Sequence, residues 1–122
     1  MAWDVEFHED FASEFAAFSE AIQDEILALA TLLEEYGPRL SRPHADTLNN
    51  SKFANMKELR LTADNGEWRV AFAFDVRRMA ILLCAGDKSG VSEKAFYRAL
   101  IKKADKRFAA HQKSATAAKG GK

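Results

Sequence analysis

"MKELRLTADNGEWRVAFAF", residues 56–74, is built from two alternating segments joined by a turn. In 56–62, Leu59 and Leu61 alternate with Glu58 and Arg60. In 67–74, Trp68, Val70, Phe72 and Phe74 alternate with Arg69, Ala71 and Ala73. A period of two sends successive side chains to opposite faces of a strand, so the apolar series marks the core side. The intervening "ADNG" carries the turn residues of a hairpin. The pattern predicts two paired strands that hold Arg60 and Arg69 close together on the face away from the core. Small Ala71 and Ala73 are expected to leave that face accessible.

Working outward, residues 79–86 are apolar on both sides, the mark of a central strand, and "VRR" (76–78) joins them to the hairpin. Upstream, "WDVEFH" (3–8) alternates Trp3, Val5 and Phe7 with Asp4, Glu6 and His8, a short half-buried strand. Phe11, Phe15 and Phe18 then fall at helical spacing, with Asp10 as the expected N-cap. Ile22, Ile26, Leu29, Leu33 and Tyr36 form a second helical stripe that Ser19 can cap and Gly37-Pro38 ends. One bent helix and a hairpin of two fit this stretch equally. Residues 37–55 hold both prolines and read as an irregular connection. After "GDKSGV", Ser92 opens a last helix whose stripe is Phe96, Leu100, Ala104 and Phe108. The order β-α-α-β-β-β-α predicts an α+β fold, an antiparallel sheet of about four strands with its helices on one face. Residues 1–110 make one domain, and 111–122, small and charged, are expected to be a disordered basic tail.

Composition supports a packed globule: 48% of the 122 residues are hydrophobic and nine are Phe. A chain of this size buries roughly two-thirds of its unfolded surface without metal or disulfide staples. Cys84 is alone, inside "MAILLCAGD", and reads as a small buried hydrophobe of a reducing compartment. The acidic start lacks the basic and apolar regions of a signal peptide, and the apolar runs fall short of the ~20 residues of a membrane span. A cytoplasmic protein is expected, with no membrane partner.

The net charge of zero hides an asymmetry. Residues 1–50 carry eleven acids and two bases, and residues 51–122 carry seven acids and sixteen bases. A basic half suits an anionic polymer such as nucleic acid, unless the halves face and neutralise each other. Converging arginines and lysines bind phosphate and, in a cleft of low dielectric, stabilise a pentavalent phosphorus centre. Arg60 and Arg69 are the main candidates, with Lys88 in the loop after the third strand and Arg77 and Arg78 in a turn. The same pattern fits arginines that are solvated, or paired with Glu58 and Glu67. Tyr97 can stack on a base or assist proton transfer, or bound the core. Arg98, Lys102, Lys103, Lys106 and Arg107 form a basic stripe, solvated or in contact with RNA. No histidine pair has metal-ligand spacing and the cysteine has no partner, so no metal site and no cofactor is expected.

The segments "LLEEYGPRLSRPHADTL", "KFANMKELRL", "WRVAFAFD", "RRMAILLCAGDKSG" and "EKAFYRALIKKADKRF" resemble the RelE/ParE toxin superfamily, in its HigB-like, phage-derived branch. The resemblance spans roughly residues 3–110. It implies a RelE-like fold and the toxin of a type II toxin–antitoxin module. Such toxins act on the ribosome as metal-independent mRNA endonucleases, the ribose 2′-hydroxyl attacking the adjacent phosphate. It also implies an antitoxin partner, of the helix-turn-helix, HigA-like kind. Carried over by motif, the catalytic residues are Arg69, Lys57, Lys88 and Tyr97. Arg60, Arg77, Arg78, Lys94 and Arg98 are expected to bind RNA. The chain departs from the pattern where the family sets a second arginine before the last helix, since it has Ser89 there, and Lys88 or Lys94 must supply that charge. Members resembling ParE bind DNA gyrase instead. A toxin fold acting by binding alone, or a plain interaction domain, are the other readings.

Overall fold

The hairpin seeds a sheet larger than the alternation predicts. The computed structural model describes residues 2–120, with side chains through residue 114. The elements are β1 (Asp4–Phe7), α1 (Glu9–Ala16), α2 (Glu20–Tyr36), a single 3-10 turn (Gly37–Arg39), β2 (Ala45–Thr47), β3 (Lys57–Ala63), β4 (Gly66–Phe74), β5 (Met79–Asp87) and α3 (Glu93–Gly120). Across the sheet the order is β1-β5-β4-β3-β2. All neighbours are antiparallel except β1, which runs parallel to β5. The fifth strand, β2, comes from the proline-containing connection, where three residues pair with Leu59, Glu58 and Lys57.

The helices occupy both faces, not one. On the first face, α1 and α2 cover Leu59, Leu61, Val70, Phe72 and Leu82 with Phe11, Ile26 and Leu33. On the second, Leu100, Ala104 and Phe108 of α3 pack on Ala71, Ala73, Ile81, Leu83 and Cys84. Ala71 and Ala73 are fully buried, so their small size admits the helix instead of exposing a surface. A β-bulge lies between Ala71↔Cys84 and Phe72↔Leu82, leaving Leu83 unpaired. It turns two consecutive residues, Leu83 and Cys84, toward α3. The Cys84 thiol contacts the Leu100 carbonyl, and burial pushes its pKa up to about 12, so it is inert.

Local chemistry sets the boundaries. Asp64 and Asn65 both have positive φ and close the two-residue hairpin between Ala63 and Gly66. The N-cap of α1 is His8, whose Nδ1 accepts from the Asp10 amide, so Asp10 sits inside the helix and not at its cap. Ser19 caps α2 through the Ile22 amide, which makes α1 and α2 two helices. Gly37 ends α2 with φ near 57°, and a Cβ there would run into the Trp3 indole. Ser92 Oγ accepts from the Ala95 amide at the start of α3. That helix continues to Gly120, past residue 110 where the domain was expected to end. Its Ala, Gln and Lys content favours propagation of a helix already nucleated on the sheet. Residues 121 and 122 of the expected tail lie outside the described residues.

Candidate functional site

The register of the hairpin sets Arg60 directly opposite Arg69. Like charges facing across strands repel, so the pair needs a counter-charge. Glu58 supplies it, from the same face of β3. Its Oε2 accepts from Arg60 at 3.0 Å, and Arg69 Nε lies 3.9 Å from Oε1. From α3, the Tyr97 hydroxyl donates to Oε1 at 2.8 Å. Glu58 is only 4% exposed, and sequence reasoning named it merely as a possible partner for the arginines. Its signal was there: alternation puts Glu58, Arg60 and Arg69 on one face.

Arg69 is also 4% exposed, which corrects the expectation of an arginine on an open surface. One of its terminal nitrogens donates to the Trp68 carbonyl at 3.0 Å, and the other is 3.6 Å from the Glu67 carboxylate. Its Nε is buried with no hydrogen-bond partner. An arginine held this way is a fixed charge with an unspent donor. Burial first, and then the hydrogen bond to Glu58, raise the Tyr97 phenol above its ordinary pKa, with Arg69 pulling it down. The phenol is therefore neutral and a proton donor.

In front of Glu58, Arg60 and Tyr97 opens a groove of about 870 Å³. Lys94, Arg98 and Lys102 of α3 line one wall; Arg42 and Lys52 stand on the other side. Lys94 and Arg98 therefore share one groove with Glu58, Arg60 and Tyr97. Lys88 is further along the same face. Its amide donates to the Glu67 carbonyl, and its ammonium is 3.5 Å from Glu93. Ser89, at the position of the family's loop arginine, accepts from the Glu67 amide and braces the loop.

Three expected residues are elsewhere. Lys57 shares the face of Leu59 and Leu61, and its ammonium reaches the Pro38 carbonyl at 3.3 Å, across the sheet from Arg69. Arg77 and Arg78 lie past Phe74, the end of β4, which is itself five residues and roughly 16 Å along the strand from Arg69. Arg77 pairs with Asp75 at 3.2 Å, and Arg78 lies 4.3 Å over the Trp3 ring. Arg107 leaves the basic stripe to pair with Glu14 at 2.6 Å and with the Leu83 carbonyl at 2.7 Å. That hydrogen bond holds the Glu14 carboxyl below, and the guanidinium above, their ordinary values. Among the described residues it is the one ion pair joining the acidic half to the basic half. No three His, Cys, Asp or Glu side chains among the described residues group as metal ligands. No described helix is long and apolar enough to cross a membrane.

The sequence profile of the phage-derived Gp49-like protein family (DUF891) matches residues 13–109, which include every part of this cluster. The chain belongs to that family. This Gp49-like chain is 45% identical over 87 residues to the Mycobacterium tuberculosis protein named toxin HigB2, a match covering 70% of the chain and 43% of HigB2. It is 43% identical over 93 residues to the one named toxin HigB3 from the same organism, covering 76% and 79%. The chain thus spans less than half the length of the first relative and most of the second. Among solved structures it resembles an arginine-to-alanine double mutant of E. coli toxin RelE in the free state. The TM-score is 0.59 at 12% identity, with 84% and 97% of the two chains covered. It also resembles the archaeal RelE–RelB complex from Pyrococcus horikoshii, with a TM-score of 0.55 at 17% identity and 75% and 100% covered. The fold is RelE-like and the kinship HigB-like, as the sequence resemblance implied.

Proposed function

We propose that this Gp49-like chain is the toxin of a type II toxin–antitoxin module and cleaves mRNA on the ribosome. The observation that carries this reading is the cluster in which the buried Glu58 carboxylate joins Arg60, the buried Arg69 and Tyr97, with Glu58, Arg60 and Tyr97 lining a basic groove. Internal transesterification of RNA needs three things: a base for the 2′-hydroxyl, cations for the phosphorane, and a proton for the departing 5′-oxygen. In our assignment the Glu58 carboxylate takes the proton as the 2′-oxygen bonds to phosphorus. Arg69 and Arg60 hold the developing negative charge. The bond from phosphorus to the 5′-oxygen breaks, a 2′,3′-cyclic phosphate remains, and Tyr97 orients Glu58 and protonates the leaving oxygen. Lys88 and Lys94 supply charge where Ser89 replaces the family arginine. Lys57, Arg77 and Arg78 are left out of the catalytic set because they lie on another face or at the other end.

The toxin works in the cytoplasm and is held inactive by an antitoxin. A HigA-like, helix-turn-helix partner fits the HigB-like kinship, and the RelE–RelB complex is a precedent for the fold. Primer extension on translated mRNA tests the activity. Expression without the antitoxin should give codon-phased cuts, and Glu58→Gln, which keeps the shape and a hydrogen-bond acceptor, should lower the cutting rate by ~10²-fold. Intact mRNA in growth-arrested cells would sink the nuclease and leave a toxin that acts by binding. That second reading draws on one observation: Arg60 and Arg69 are both already paired with carboxylates.

A further inference from the structure

Arg69 does not line the groove that holds Tyr97. It lines a second hollow of about 580 Å³ with His44, Thr62 and Glu67, at the sheet edge beyond β2. β2 is short, and the Arg60 amide donates to the His44 carbonyl just before it, so the segment 42–44 passes over the edge of β3. Arg42 and Arg60 line both hollows. The two openings are therefore neighbours, divided by a pair of guanidinium groups and with the unpartnered Nε of Arg69 buried at the second. Charge favours an anion along the whole course. Six lysines and arginines line the first hollow against three carboxylates; Arg42, Arg60 and Arg69 line the second against Glu25 and Glu67. Arg42 is 68% exposed at its side chain and is held only by Asp46, at 2.8 Å.

We infer that a single-stranded RNA backbone crosses the β2–β3 edge here, lying in the α3 groove on one side of the scissile phosphate and in the His44 hollow on the other, with Arg42 binding the phosphate next to the one held by Arg60 and Arg69. The inference rests on RNA being the ligand, as proposed above. It adds Arg42, His44 and Lys52 to the contact surface and makes Arg42 a positioning residue. A flexible single strand can turn over a sheet edge, and a duplex of persistence length ~50 nm cannot. The exposed pair with Asp46 is weak enough for a phosphate to replace the carboxylate.

The test is anisotropy titration of the full chain with a short fluorescein-labelled single-stranded RNA over a range of salt, beside ribosomal cleavage. Arg42→Ala should weaken binding about fivefold and reduce the slope of log K against log salt by roughly 0.7, the value of one lost phosphate contact. Arg42→Lys should restore the slope, because it returns the charge, and Arg77→Ala at the far end should leave it unchanged. In cleavage, Arg42→Ala should raise KM with kcat little altered. Three outcomes overturn the path: no RNA binding by the wild type, an unchanged slope in Arg42→Ala, or an equal loss in Arg77→Ala. If the wild type binds RNA and Arg42→Ala loses the slope while no chain cuts mRNA, the nuclease reading fails and the path stands.

Discussion

At one end of the α3-covered face, Glu58 gathers Arg60, Arg69 and Tyr97. At the other, Asp75 gathers Arg77, His111 and the amides of Arg77 and Met79. Both are carboxylates buried beneath arginines, each with one partner from α3. The difference lies in what is left over. The Asp75 side chain is 0% exposed and receives four hydrogen bonds, so its acceptors are satisfied. The Glu58 end keeps a buried guanidinium nitrogen without a partner and opens on a basic groove. A closed polar network fastens a helix to a sheet; an open one is held ready for a ligand.

Three experiments can break this contrast. The largest effect is expected from Asp75→Ala, which leaves two amides and His111 without their acceptor. It should cost about 3 kcal/mol in urea unfolding, yet leave cleavage per folded molecule unchanged. A loss of rate beyond the loss of folded protein would make the far end functional too. Tyr97→Phe should cost only about 1 kcal/mol of stability, because Glu58 retains Arg60. Its cleavage should fall by about tenfold, the reverse ratio of the Asp75 variant. Equal and small effects on both would reduce Tyr97 to a packing residue.

The smallest effect is that of pH. Burial is the largest influence on Asp75 and pushes its carboxyl up, but the bonds from His111, Met79 and Arg77 outweigh it and hold the pKa below 3.8. Glu14 is held below 4.5 by Arg107. A depressed folded pKa gives stability that is present above the unfolded value and lost as pH falls through the folded one. Urea midpoints should therefore hold steady toward neutral pH and decline below about 4.5, with a shallower decline in Asp75→Asn. An identical decline in that variant would remove Asp75 as a source of the acid sensitivity.

Much of this was legible in the sequence. Alternation placed the hairpin, its turn and its core face, because a half-buried strand has to alternate. Other inferences failed for physical reasons. The run 79–86, apolar on both sides, already required a second covered face, yet Ala71 and Ala73 suggested open surface; small residues mark close approach as readily as exposure. Lys57 entered the catalytic set by motif although its parity with Leu59 places it on the other face. Glu58 went unassigned because a carboxylate between arginines looks like a neutralising partner until its burial is seen. His111 was assigned to the disordered tail because its partner, Asp75, is thirty-six residues away in sequence. The β2 strand, with three residues, has no period to detect.

The bulge in β5 has a reach beyond its own two residues. Strand faces alternate, so one extra residue at Leu83 reverses the sides taken by everything that follows it before the loop. Because of it, Gly86 faces α3, where a Cβ would stand 2.9 Å from the Phe96 ring. Without it, the side chain of Ala85 or Asp87 would occupy that face and hold the first turns of α3 away from the sheet. Phe96 is the neighbour of Tyr97, so the 2.8 Å hydrogen bond to Glu58 is timed, like a cam on a shaft, by a residue with no partner in the ladder.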